Sequence, residues 1–314
     1  VTAVAARARR EVVLDAAPRL SDLYTRAGLA SGRAAVGGRV RRVLGRDGEP
    51  GAAALPAVEH RLDGLRPDPG QLTAYQHLVG EPAGDVLPAG FGFVLTFPVA
   101  IALIVRPDFP MPPLGIVHLA NRVEQRRALR LDDVLQVRAW AQDLQPHRRG
   151  AQVELVTEIR RAGDPESAPA AWRGVSTYLA PGVRVPGPDP DDAARPDFVP
   201  PAPTGRWTLG ADAGRRYAAV SGDANPIHLH PLTARALGFP RAIAHGMFTA
   251  ARALADVGAR RGEAYTWDVE FASPVLLPAR PSVSVAQDGA GWDVTVWDAR
   301  KGKLHLRSRV QPMG

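Results

Sequence analysis

Residues 217–230, YAAVSGDANPIHLH, bring a carboxylate (Asp223), an amide (Asn225), a proline and two imidazoles (His228, His230) into fourteen positions. A carboxylate and an imidazole on one side of a turn can hold a water between them and exchange its protons, which is general acid–base chemistry. Asn225-Pro226 supplies the turn. An asparagine oxygen accepts from an otherwise orphan amide at a helix start, and proline is pre-set for the first helical position. A short helix opening at Pro226 puts His228 in its first turn and leaves Asp223 in the loop leading in. Five residues round such a turn bring the two side chains within about 4–6 Å, the spacing of groups that share one water. The second element is AHGM, 244–247, at the start of a longer helix. Amides at a helix N-terminus point outward and favour negative charge, and a glycine lets a ligand approach the backbone closely. The Gly246 N–H is therefore a candidate donor to a carbonyl oxygen that becomes an enolate.

The same residues have plainer readings. The D-N-P-H cluster on its own reads equally as a capped turn. Asp223, His228 and His230 are metal-ligand types, but His230 lies two positions beyond His228, away from its face. No metal is expected, and His230 reads as a surface residue. His245 reads as a packed histidine that shapes the site. Ser221 has no neighbouring base in a nucleophile-elbow pattern, so it too is a site-shaping residue and a serine hydrolase is not indicated. Tyr217 packs under the loop, Met247 and Phe248 belong to the core, and Arg241 and Arg252 read as solvated.

What must position these groups is legible as a repeat. Residues 181–206 carry eight prolines and little apolar periodicity, an extended linker. On either side the pattern recurs: Tyr75, Gly80 and Glu81 stand at the spacing of Tyr217, Gly222 and Asp223. An apolar helix follows each, over 94–105 and 242–258. Period-two alternation then predicts strands at Tyr265–Phe271, around Val283–Val285, Trp292–Val296 and Leu304–Val310. The first half offers Val134–Trp140, Ala151–Ile159 and Trp172–Leu179. A short strand precedes each copy, near Val58–Leu62 and Trp207–Leu209. A sheet wrapping one central helix is the hot-dog arrangement, so the fold expected is α+β, a double hot-dog. Its parts are an extension (1–54), a degenerate hot-dog without the acid–base motif (55–180), the linker, and a hot-dog carrying the motif (207–314). From Glu81 to Phe97 is 16 residues and from Asp223 to His245 is 22, so the first half lacks the segment that holds ANPIH, and chemistry is expected in the second half alone. In the extension, residues 4–20 suggest a short surface helix, and 33–54 a mobile glycine-rich stretch.

Composition narrows the classes. The 314 residues include no cysteine, which excludes disulfides, thiolate metal sites and a cysteine nucleophile. The net charge of +7 comes almost wholly from arginine, since Lys301 and Lys303 are the only lysines. A basic surface can steer phosphates or an acidic carrier protein, but no basic run interleaves with aromatics, so nucleic acid is not expected as a partner. The most apolar window, 91–105, is too short to span a bilayer, and the first twenty residues lack the apolar run of a secretory leader. A cytoplasmic location follows as an expectation.

YAAVSGDANPIHLHPLTA (217–234) resembles, without a break, the signature of the MaoC-like dehydratases, or (R)-specific enoyl-CoA hydratases: Asp223, Asn225, Pro226, His228 and Ala234 all match. GFPRAIAHGM (238–247) looks like the family's continuation. LTFPVAIALIVRPDFPMPPLGIVHLANRV (95–123), QPHRRGAQVELVTEI (145–159) and WRGVSTYLA (172–180) resemble the first half of actinobacterial two-hot-dog dehydratases. The likeness covers residues 55–314. It implies reversible hydration of trans-2-enoyl thioesters of coenzyme A (CoA) or acyl carrier protein to (3R)-hydroxyacyl thioesters, without metal or redox cofactor. Asp223 and His228 would be the acid–base pair and Gly246 the oxyanion donor, with Asn225 fixing the turn. A double hot-dog already contains a pseudo-dimer, so monomer and homodimer both fit. Two other readings remain open: a hot-dog thioesterase, and an acyl-thioester binding protein without turnover.

Overall fold

The computed structural model describes residues 9–23, 54–113, 115–188 and 197–313. The first half runs β1 (Arg10–Leu14), β2 (Val58–Leu65), α1 (Pro69–Val79), α2 (Ala89–Ile104), β3 (Val117–Gln125), β4 (Leu135–His147), β5 (Gly150–Arg161) and β6 (Trp172–Pro181). The second runs β7 (Gly205–Arg206), α3 (Ala213–Ser221), α4 (Pro226–Leu229), α5 (Pro231–Ala236), α6 (Gly246–Val257), β8 (Tyr265–Phe271), β9 (Ser282–Asp288), β10 (Gly291–Asp298) and β11 (Lys303–Pro312). The eleven strands of the described residues form one sheet, in the order β1-β2-β4-β5-β6-β3-β8-β11-β10-β9-β7. From β2 to β3 and from β7 to β8 the two halves repeat one order, and they meet at an antiparallel β3–β8 seam in which Asn121 faces Val269 and Val123 faces Trp267. This is a double hot-dog.

Alternation explains the strands. In β8 Tyr265, Trp267 and Val269 point inward, each close to fully buried. Burying such a side chain contributes about 1.5–3 kcal/mol, and the Trp267 indole N–H finds a partner in Ser308 Oγ at 2.9 Å. In β10 Val294 and Val296 join the core, and Trp297, after a register shift, is buried beside Phe198 of the linker.

Each half wraps one helix. α2 is apolar all round and buries thirteen of its sixteen residues, as a helix enclosed by sheet must. α6 buries Met247, Phe248, Ala250, Ala251, Ala253 and Leu254. The two helices approach at Gly90, where an added Cβ would stand 3.1 Å from that of Ala251 and 2.2 Å from the Tyr75 hydroxyl.

Three expectations need correction. Residues 10–14 form a strand, not a surface helix: REVVL is β-branched and pairs in parallel with β2, covering an otherwise open sheet edge. The helix of the first half begins at Ala89, not at 94, and Pro98 lies inside it. Nine residues, Gly80–Pro88, connect α1 to α2, against twenty-four, Gly222–His245, between α3 and α6. The first half also has a strand that alternation did not single out, β3, and it is the one that forms the seam. In the second half the leading strand is Gly205–Arg206, with Leu209 joined to Ala279 by a lone bridge. The stretch expected to be mobile, 33–54, lies outside the described residues except for Ala54. Of the linker, residues 197–204 run without regular structure, and Phe198 meets the Trp297 ring edge-on at 6.5 Å.

Candidate functional site

α3 ends at Gly222, whose φ of 74° is left-handed and whose N–H donates to the Ala218 carbonyl at 2.8 Å. Glycine takes that conformation without strain. Ser221 Oγ donates to the Tyr217 carbonyl (2.8 Å) and accepts from the Asp223 N–H (3.2 Å), tying the loop to the helix it leaves. Asp223 Oδ1 accepts from the Asn225 N–H at 3.2 Å, and Asn225 caps α4 by accepting from the Ile227 N–H at 3.4 Å. Pro226 stands at the first helical position. His228 is thus in the first turn of α4, as its spacing predicts, and buried. His230 is exposed and caps α5 by accepting from the Leu232 N–H.

The His228 Nδ1–H donates to the Ile243 carbonyl at 2.9 Å. That leaves Nε2 with its lone pair, and burial, with His245 alongside, lowers the pKa of the ring to about 3. His228 is therefore a neutral imidazole at ordinary pH. His245 stacks on it with centroids 3.6 Å apart. The His245 Nε2–H donates to the Asp223 carbonyl at 2.9 Å, 3.7 Å from the Asp223 carboxylate, while its buried Nδ1 has no hydrogen-bond partner. Burial holds its pKa below the usual histidine value. Donor atoms of Asp223, His228 and His245 all lie within 4.8 Å of one another. The carboxylate–imidazole spacing expected from the turn is met. By distance alone the trio could hold a cation, but each ring already donates one N–H to a backbone carbonyl, which suits proton exchange at least as well.

Gly246 is the first residue of α6, directly after His245. A Cβ there would lie 3.0 Å from Phe271 Cε1, so the position has room for glycine and little more. These groups line one cavity of about 290 Å3. Tyr217 packs beneath, 4.9 Å from the His245 ring, with burial pushing its pKa up.

The first half contributes more to this cavity than its lack of a motif suggested. His118 and Tyr178 line it, their rings stacked at 4.5 Å, and the His118 ring lies 4.9 Å from that of Phe271. His118 is half-buried, its pKa lowered to about 3 by burial, and its Nε2 is unpartnered. No spacing rule could have found it, because its strand escaped the alternation pattern. Phe93, Phe97, Ile101 and Val105 of and beyond α2 add an apolar arm. The counterpart of Asp223 by repeat, Glu81, has a different fate: its side chain is 3% exposed and held by Arg261 at 2.8 Å.

Residues 193–303 match the model of the MaoC like domain. The chain is 39% identical over 271 residues to 3-hydroxyacyl-thioester dehydratase X of Mycobacterium tuberculosis, covering 83% of this chain and 94% of that protein. The chain belongs to the MaoC-like dehydratase family. Among solved structures of the family, HtdX of Mycobacterium tuberculosis superposes with a TM-score of 0.71 at 37% identity, over 81% of this chain and all of the other. A MaoC-like dehydratase from Phytophthora capsici shares the fold, with a TM-score of 0.64 at 19% identity, over 81% of this chain and 95% of its own. As a MaoC-like dehydratase, the chain shows its family signature where the carboxylate, the neutral imidazole and the helix N-terminus converge.

Proposed function

We propose that this protein reversibly hydrates trans-2-enoyl thioesters to (3R)-3-hydroxyacyl thioesters, with Asp223 and His228 as the acid–base pair and the Gly246 amide as oxyanion donor. The observation that carries the reading is a carboxylate and the ring of a neutral imidazole with donor atoms within 4.8 Å of each other, beside the first amide of α6 and at the end of an apolar arm. In the hydration direction the pair holds a water. His228 Nε2, a free lone pair at neutral pH, takes a proton from it as oxygen attacks C3. Asp223 orients the water and relays to the α-carbon the proton that His228 has taken, so the water supplies both the C3 hydroxyl and the α-hydrogen and both groups end as they began, while negative charge on the thioester oxygen is met by the Gly246 N–H. One such donor is worth roughly 2.7–4 kcal/mol in the transition state. Asn225, Ser221 and His245 fix the loop that carries the pair. No step calls for a metal or redox cofactor. The acyl chain follows the arm lined by Phe93, Phe97 and Ile101, so the first half shapes the tunnel. The apolar arm and the activity in the name of the Mycobacterium tuberculosis relative both support an acyl thioester as partner, and a chain without cysteine suits a cytoplasmic location.

The test is the absorbance of the conjugated enoyl group when purified protein meets crotonyl-CoA and longer trans-2-enoyl-CoAs, with chiral analysis of the product and a free-thiol assay alongside. Loss of the enoyl band with a (3R) product is expected. Thiol release without hydration would replace this reading with a thioesterase, and binding without turnover with a carrier of acyl thioesters.

A further inference from the structure

The wall of the candidate cavity comes from the two hot-dogs, with one exception among the described residues. Leu23 lines it too, and Leu23 belongs to the N-terminal segment that precedes both. The segment is fastened at its start, where β1 adds to the sheet edge with Arg10 opposite Val58 and Leu14 opposite Leu62. Val12 and Leu14 pack, partly buried, against the core. Beyond β1 the chain makes one helical turn, in which the Arg19 carbonyl accepts from the Asp22 and Leu23 N–H groups at 3.0 and 3.1 Å. Leucines three apart on such a turn share a face. Leu20 and Leu23 are accordingly buried, at 6% and 3% exposure, while Ser21 and Asp22 between them are exposed.

That face meets the site twice. Leu20 lies against Gly222, where an added Cβ would stand 2.9 Å from the Leu20 Cδ1 methyl, and Gly222 directly precedes Asp223. Leu23 joins an apolar wall whose other members include Phe93, Phe97, Ile101 and Val105. Those four recur every fourth residue along α2 to its C-cap, Val105, and so form one stripe. At 1.5 Å per residue the stripe runs for about 18 Å, the shape of a groove for an extended chain.

We propose that Leu23 is a specificity-determining residue: the N-terminal segment inserts it into the apolar wall of the cavity, where its bulk limits the length of acyl chain that is accepted. The proposal rests on the dehydratase reading above and deepens it. Volume discriminates only where a wall is packed too tightly to yield. Leu23 meets that condition, because β1 anchors the segment at one end and Leu20 seats the turn on the Gly222 loop at the other. One methylene more or less in such a pocket changes relative rates by roughly 10-fold or more. The chain-length limit is thus set from outside the two hot-dogs, by a residue that a change in the segment can replace without touching Asp223, His228 or Gly246.

The experiment compares full-length wild type with Leu23→Ala, Leu23→Phe, the volume-conserving Leu23→Met, and Asp22→Ala on the exposed side of the same turn. The readout is the ratio of kcat/KM for trans-2-dodecenoyl-CoA to that for crotonyl-CoA, with a thermal melt of each sample. Calorimetry with butyryl-CoA and dodecanoyl-CoA, which have no double bond to hydrate, reads chain-length preference without turnover. Leu23→Ala should raise the ratio by about 10-fold and Leu23→Phe lower it by a similar factor. Leu23→Met and Asp22→Ala should keep the wild-type ratio, and the calorimetric preference should move with the kinetic one. General damage to the fold would lower both rates together and could not move the ratio in opposite directions. A ratio unchanged in Leu23→Ala and Leu23→Phe overturns the proposal, as does a shift in one direction for both, or an equal shift in Asp22→Ala. Failure of wild type to hydrate any thioester, with the binding preference still following the size of residue 23, would remove the dehydratase reading and leave the chain-length determinant standing.

Discussion

Replacing Asp223 by Asn changes charge and almost nothing else. Asparagine keeps an oxygen where Oδ1 accepts from the Asn225 N–H at 3.2 Å, so the turn and the cap of α4 survive. The other oxygen becomes an NH2 group, which can donate but can no longer take a proton from the substrate. The negative charge 3.7 Å from His245 Nε2 also disappears. A positioned acid or base contributes about 10²–10⁴-fold, or roughly 3–5.5 kcal/mol of barrier. Stability should move by only about 1 kcal/mol, because one hydrogen bond is conserved and the side chain is partly exposed. The assay is the initial rate of loss of the enoyl band at saturating crotonyl-CoA, with a thermal melt of the same sample. A fall in kcat of at least 100-fold with a near-unchanged melt is expected. His228→Gln should behave alike, and the double variant should be little worse than either, since the two groups act as one unit. An Asp223→Asn protein that melts normally and keeps more than about a tenth of wild-type kcat would refute the assignment of the carboxylate to proton transfer.

Two further outcomes follow from buried charge. His228 and His118, both with pKa values lowered to about 3, stay neutral in the folded protein where the unfolded chain takes up protons near pH 6.5. Their stability is therefore full above pH 6.5 and falls as pH drops towards 3, by about 1.4 kcal/mol per pH unit for each ring. Urea denaturation at pH 7, 6 and 5 should show the slope and His118→Phe should flatten it; equal midpoints for wild type throughout would contradict the burial argument. Arg261→Met strands Glu81 as an unpaired buried carboxylate, at a cost of roughly 3–5 kcal/mol. Adding Glu81→Gln should restore much of that in a denaturant titration, and no restoration would mean that Arg261 stabilises by other contacts.

The candidate pair was legible because its signals are local: a cap, a proline and two side chains five residues apart are fixed by one turn. The strands of the second half were legible because one face of each is buried. Legibility failed where structure is set from outside the segment. REVVL is too short to distinguish strand from helix by period, and only the open edge of β2 decides it. Gly90 and Gly92, poor helix formers, hid the first turns of α2, which packing within the sheet carries from Ala89. β3, which lies between β6 and β8, alternates poorly, and with it His118 went unnoticed as part of the cavity wall.

The β3–β8 seam is a subunit interface made permanent by the linker. In a pair of identical hot-dogs every change arises twice, so an acid kept for chemistry in one copy is kept in both, and the assembly falls apart on dilution. Here the partner is tethered, its effective concentration is set by the linker and not by the solution, and each copy can drift alone. That freedom is written in two aligned carboxylates: Asp223 lines the candidate cavity, while Glu81 is locked against Arg261 of the opposite half.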